Sequence, residues 1–398
     1  MIKQIKFQKL IVICLLGMSS VSISQSIEYR EHELYSELLN EKRLIRVGLP
    51  KNYDENKTYP FVYLLDGELI FEYATGAVSY LKDFEESIPD CIVIGIPNIS
   101  RGKDLGLPRK DDDTPTHLNF ISFIEKEVFP MIENNYGTQK FKILYGWSLG
   151  SQFSASVFST REDLFEGYII SGLLLSEYLY ETHLNTLPKS IPNPTYLHAS
   201  VEGIEGVEIS EIYPETLEYF EKYKTLFSEV SHLPNLRLKI GVEKNNSHQD
   251  EFTQSFKKGM RFIFSDFFDI TNNPDKATAV DPAEIIDSYD KVLETRYNNS
   301  FLIPESIFTN EARAIYFKKR NKASIEGAAS IIEKGLIVHS NSTQLNHQLS
   351  MYMILKKDIE GAKEKHKSVL KDESNVINKQ LYKVEFERLL LRVNNPEK

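Results

Sequence analysis

The sequence predicts an α/β fold, a mostly parallel sheet with helices on both faces, followed by an all-α repeat-like region. Three observations carry this. Short, continuous apolar runs alternate with longer stretches of helical period. One such run, Phe141 to Tyr145, passes at once into Gly146-Trp147-Ser148-Leu149-Gly150 and then a helical pattern of small residues. Beyond residue 284 the apolar runs stop and only the helical period continues.

Composition sets the outer limits. At 398 residues, 41% hydrophobic and 26% charged, the chain reads as soluble, globular and large enough for two domains. A net charge of −10 without a Lys/Arg cluster argues against nucleic acid as a partner. The two cysteines are Cys14 and Cys91. If the N-terminal run is removed, one thiol remains and stability rests on the core. No CxxC or HExxH spacing calls for a metal.

Residues 1–24 read as a secretory signal peptide. Lys3, Lys6 and Lys9 precede a short apolar stretch, Leu10 to Met18, and Ser22-Ile23-Ser24 offers small residues at a cleavage point. The run is too short to span a bilayer, so a periplasmic or secreted protein with no membrane span after processing is expected.

The body of the chain follows in order. Two strands, Arg30–Leu39 and Arg43–Leu49, precede Phe61-Val62-Tyr63-Leu64-Leu65, whose unbroken apolar character marks a strand covered on both faces. A helix spans roughly Leu69–Lys82, and Cys91–Ile96 is another buried strand. A polar loop over 99–116 contains Arg101, Asp104 and Arg109. His117–Tyr136 is amphipathic, with Phe120, Phe123, Ile124, Val128 and Ile132 near one face. After the Phe141 strand come strands at Gly167–Ile170, Thr195–Val201 and Leu236–Val242, with helices over about 210–231 and 249–268.

The chemistry concentrates where strands end. Gly146 to Gly150 has the G-x-S-x-G pattern of a nucleophile elbow, with Ser148 at the tip and glycines where strand and helix pass closely. The helix N-terminus behind it favours a developing oxyanion. A serine needs an imidazole to take its proton. Of nine histidines, His248 directly follows the last strand, the place of the base in a Ser–acid–His chain order. The orienting carboxylate should follow the strand ending near Val201, where Glu205 is favoured and Glu202 is the alternative. The oxyanion donors should be the Leu149 N–H and one from the turn after Leu65, at Gly67 or Glu68. Arg101 and Arg109 can bind substrate, although surface ion pairs are the commoner fate of such residues.

Several stretches together resemble the esterase family of α/β-hydrolases, which includes enterochelin esterase-like, feruloyl esterase-like and esterase D-like enzymes. They are Asn40-Glu41-Lys42-Arg43 leading to Val47–Pro50, Tyr59–Gly67, Val93–Asn98 with Arg101 and Asp104, the elbow, and Asn246-Ser247-His248. They cover most of residues 31–269. The resemblance implies a serine hydrolase with no cofactor, acting on a small-molecule or carbohydrate-linked ester. The chain departs from the family at Trp147, at Ser151 in place of a further glycine, and at Leu173-Leu174-Leu175. Its specificity therefore does not carry over.

A polar segment, residues 271–284, reads as a linker between an esterase domain at 25–270 and helices at 285–398. There Ile325-Glu326-Gly327-Ala328 recurs as Ile359-Glu360-Gly361-Ala362, an offset of 34 residues, which is the tetratricopeptide period. Such helices can also serve a protein partner.

Overall fold

A computed structural model of the chain describes residues 28–51, 53–107, 116–172, 181, 187–203, 221, 224–225, 227–244, 247–269, 282–371 and 376–394. The proposed signal peptide and most of the polar linker lie outside them. The described residues fall into two compact units. One draws on Ser26–Thr271 and Lys291–Leu302, the other on Asn272–Asp290 and Ile303–Lys398.

The first unit is built on eight strands. β1 (Glu28–Ser36) and β2 (Glu41–Leu49) form an antiparallel hairpin, with Asn40 in the left-handed conformation at its turn. β3 (Phe61–Leu64) and β4 (Ile92–Gly95) are buried along their whole length. β5 (Lys142–Trp147), β6 (Gly167–Ser171), β7 (Thr195–Gly203) and β8 (Leu236–Lys244) complete the sheet. The strand order is β1-β2-β4-β3-β5-β6-β7-β8. β2 runs antiparallel to β4, and every pair from β4 to β8 is parallel. The apolar runs seen in the sequence are thus the strands that helices cover on both faces.

Alternation along the strands sends neighbouring side chains to opposite faces. On one face, α1 (Gly67–Asp83) and α6 (His248–Phe268) meet through Tyr73, 5.1 Å from Phe252 between ring centres, while Tyr145 of β5 packs on Phe256. The other face carries α3 (Thr116–Phe123), α4 (Phe129–Tyr136) and α5 (Leu149–Thr160), with Phe120 against Phe153 and Tyr63 against Phe129. A short helix, α2 (Arg101–Leu105), follows β4. Between α3 and α4 the helix widens to a π turn, Ile124–Val128. Pro130 lies just beyond; it has no N–H to donate and its ring crowds the carbonyl one turn back, which favours that widening. The expected helix over 117–136 is therefore present but interrupted.

In the chain's later half α7 (Pro282–Tyr297) is followed by α8 (Glu305–Lys319), α9 (Lys322–Val338), α10 (Thr343–Leu355), α11 (Ile359–Lys371) and α12 (Val376–Asn394). The two Ile-Glu-Gly-Ala segments lie in the second turn of α9 and the first turn of α11, and Ala328 and Ala362 are fully buried. Small residues permit close helix approach here: a Cβ at Gly361 would lie 2.6 Å from Met353 of α10.

Candidate active site

β5 ends at Trp147, and the chain turns into α5 through Ser148, whose φ of 57° and ψ of −118° no ordinary side chain adopts without strain. The turn closes only because residue 146 is glycine. A Cβ there would overlap the Gly150 carbonyl oxygen and the Ser154 hydroxyl. The Ser148 N–H donates to the Ser171 carbonyl at 3.0 Å, which ties the elbow to β6. Ser151 donates to the Ser148 carbonyl from both its N–H (2.9 Å) and its hydroxyl (2.5 Å), so the serine that departs from the family pattern braces the turn. The Ser148 hydroxyl makes no capping bond to α5. It stands at the positive end of the helix, beside a Leu149 N–H that has no partner among the described residues.

The second wall of the site is the turn after β3. Asp66 adopts the left-handed conformation, φ 55° and ψ 39°, and α1 begins at Gly67. A Cβ at Gly67 would lie 2.5 Å from the Gly95 carbonyl carbon, so only glycine allows this turn to lie against β4. The Gly67 N–H, expected as an oxyanion donor, gives its hydrogen bond to the Ile96 carbonyl at 2.9 Å. The next N–H, that of Glu68, has no partner among the described residues. The Glu68 carboxylate accepts from the Asn98 N–H at 3.0 Å.

Asp66 is fully buried and holds three donors. Asn98 Nδ2 reaches Oδ1 at 2.6 Å, and Arg101 Nε and Nη2 reach Oδ1 and Oδ2. The same guanidinium donates to the Trp147 carbonyl at 2.9 Å. One side chain therefore ties the turn carrying Glu68 to the strand end carrying Ser148. Arg101, which the sequence allows either to bind substrate or to form a surface pair, makes a charge-assisted fork to a buried carboxylate. Arg109 lies outside the described residues.

His248 is the first residue of α6. Ser247 caps that helix by accepting from the Asp250 N–H at 3.1 Å. The imidazole lies against Trp147, with ring centres 4.9 Å apart and planes at 34°, and beside Gly172, where a Cβ would meet His248 Cε1 at 3.1 Å. The residues flanking Ser148 and Ser171 thus border His248 directly. Of the expected acids, Glu205 lies outside the described residues. Glu202 is placed by its main chain alone, in β7 opposite Glu243. A carboxyl group that sequence reasoning passed over is Glu251, one turn along α6. It is completely buried and accepts from the Ser200 hydroxyl of β7 at 2.5 Å. The signal for it was weak, because a Glu in a polar helix start reads as solvated.

A serine on a strained strand-to-helix elbow, at the carboxyl edge of a mostly parallel sheet, defines the α/β-hydrolase class. Residues 36–201, under half of the chain, match the family model described as "Putative esterase", which supports an ester-bond hydrolase. Solved structures share the fold. An IroE-like serine hydrolase from Shewanella oneidensis is 23% identical, with a TM-score of 0.58 over 76% of this chain and 98% of that one. An uncharacterised protein from Capnocytophaga ochracea is 14% identical, with a TM-score of 0.60 over 92% and 100%. The siderophore hydrolase EstA from Aspergillus nidulans is 18% identical, with a TM-score of 0.50 over 63% and 99%. No curated protein matches the chain.

Proposed function

We propose that this chain is a serine carboxylic-ester hydrolase working through an acyl-enzyme. The observation that carries the reading is the backbone of Ser148, held at positive φ with its hydroxyl uncommitted at a helix N-terminus. His248 takes the Ser148 proton as Oγ attacks the ester carbonyl carbon. The oxyanion is held by the N–H of Leu149 and by an N–H at the start of α1, where Glu68 is favoured over Gly67 because the latter already bonds Ile96. The C–O bond then breaks, and the alcohol leaves with the proton from His248. Water, deprotonated by His248, releases the acid and restores Ser148. Glu205, or Glu202 in its place, orients the imidazole. The substrate is a small-molecule or carbohydrate-linked ester, and the siderophore hydrolase among the structural neighbours makes siderophore esters the first class to assay. We read residues 1–24 as a signal peptide that sends the enzyme to the periplasm or outside the cell. The helical region reads as tetratricopeptide-like, a candidate surface for a protein partner. Transfer of the acyl group to an acceptor other than water uses the same groups.

The test is direct. Ser148→Ala abolishes hydrolysis of p-nitrophenyl acyl esters and labelling by a fluorophosphonate; unchanged turnover ends the proposal. Separate Glu205→Ala and Glu202→Ala variants assign the acid, and full activity in both removes it from the scheme.

A further inference from the structure

We propose that Trp147 is a positioning residue for His248, fixing both the main chain and the ring of the base; this rests on the reading of the site given above. The indole Nε1 donates to the His248 carbonyl at 3.0 Å. The indole face lies against the imidazole, 4.9 Å between ring centres. Two contacts of different kind on one residue remove both translation and tilt, which neither would remove alone.

Trp147 is itself held. Its carbonyl accepts from Arg101, whose guanidinium carbon lies 5.8 Å from the indole centre, and its ring lies 5.9 Å from Phe252. Residue 172 has to be glycine for the arrangement to fit. Its φ is +57°, and a Cβ would come within 3.3 Å of Trp147 Nε1 and 3.1 Å of His248 Cε1. Because Trp147 immediately precedes Ser148, the peptide that aims the nucleophile also aims the base.

The same helix start is tied at further points. The Ser171 hydroxyl donates to the Glu251 carbonyl at 3.3 Å, Tyr145 to the Phe252 carbonyl at 2.9 Å, and Tyr73 to the Thr253 carbonyl at 2.5 Å. Side chains from β5, β6 and α1 thus reach four carbonyls within the first six residues of α6. Such bonds are supernumerary in a helix, whose carbonyls already serve its own N–H groups. Their concentration at the turn carrying His248 matches what a catalytic group needs, since a displacement of about 1 Å can cost about 100-fold in rate.

The chain has a single tryptophan, so its emission reports on the surroundings of residue 147. Replacing the stacked imidazole by a side chain without a ring changes the surroundings of the indole. His248→Gln should therefore shift the emission of the folded full chain, while the charged groups near the stack, Arg101 on Asp66, Glu251 on Ser200 and Asp250 at the helix cap, stay in place. Identical emission in wild type and His248→Gln overturns the stack. In p-nitrophenyl ester hydrolysis Trp147→Phe, which keeps an aromatic face, should lower kcat about 10-fold, and Trp147→Leu about 100-fold, with KM nearly unchanged. Equal kcat in wild type and Trp147→Leu, or a change in KM alone, overturns the role. If Trp147→Leu fails to fold, Trp147→Phe and the comparison of emission between wild type and His248→Gln decide. Loss of hydrolysis in Ser148→Ala with full kcat in the Trp147 variants sinks this inference and leaves the esterase reading. A wild type inactive on all esters sinks that reading, and the emission of His248→Gln still tests the contact.

Discussion

Arg101 donates to both oxygens of Asp66, from Nε to Oδ1 at 2.7 Å and from Nη2 to Oδ2 at 3.0 Å. Asp66 is fully buried and Arg101 is one-third exposed. Arg101→Met leaves that carboxylate with Asn98 alone among these partners. We expect a loss of about 2–3 kcal/mol, less than for a wholly buried pair because solvent already screens the guanidinium. Ester hydrolysis should fall further than the loss of folded protein explains, since Trp147 and the start of α1 lose their common tether. Arg101→Lys restores charge without the fork and should recover stability better than rate. Urea denaturation beside kcat checks both parts.

Two glycine substitutions should have opposite signs. Gly146→Ala puts a methyl into the Gly150 carbonyl and should lower both thermal stability and activity. Gly76 lies exposed inside α1 with nothing near its missing Cβ, so Gly76→Ala should stabilise by about 0.5–1 kcal/mol. Thermal melts of the two variants compare them. A stabilised Gly146→Ala would mean that the elbow is looser than its geometry requires.

Glu251 accepts from Ser200, which also lies 2.8 Å from the Ser255 hydroxyl. Glu251→Ala removes one of the two partners of the buried Ser200 hydroxyl and opens space; a cost of about 2–3 kcal/mol is expected. Glu251→Gln keeps an acceptor oxygen and the volume, so it should cost about half as much. Denaturant midpoints decide. Equal losses would mean that charge, not shape, holds the carboxyl group.

In the helical unit, His366 stacks on Phe386 at 4.0 Å, and its ring lies 5.9 Å from His347, which is paired with Glu385 at 2.9 Å. Burial, and then the neighbouring His347, push His366 down to about 4. The unfolded chain takes up a proton near the ordinary value of about 6.5, and the folded one does not until about pH 4. Stability of this unit should be level above that upper value and fall steadily as pH drops towards the lower one. His366→Leu should flatten the slope. Hydrogen exchange within α11 of the full chain, measured between these limits, reads it. His198 of β7, pushed down to about 3 by burial and by Lys239 and Lys258, should give the α/β unit a slope of the same sign.

The legible parts of the sequence were those set by local pattern. Phe61–Leu64 and Ile92–Gly95 are buried from end to end, as unbroken apolar runs imply. The elbow at Ser148 is legible because glycines two residues either side lack the Cβ that would keep strand and helix from passing so closely. Strand order was not: β2 lies beside β4 rather than β3, a matter of crossover geometry that no local pattern records. The helical pattern reads from about residue 249, yet His248 already opens the helix, because Ser247 and Asp250 form a cap whose spacing is present in the sequence. The role of Arg101 is not legible because its partner, Asp66, is 35 residues away in the chain and is met only once β3 and β4 pair. The Gly67 N–H bond to Ile96 is hidden in the sequence for a similar reason, since the carbonyl that accepts it belongs to the neighbouring strand's exit.

Among the described residues the sheet has two open margins, β1 and β8. β1 presents exposed Glu28, Arg30, Glu31 and Glu33, and β8 exposed Arg237 and Lys239. Charges so placed make it costly for another extended chain to dock along either margin. Growth of fibrils by strand addition is therefore opposed at both ends, and crowded copies of this protein can remain separate without a covering subunit.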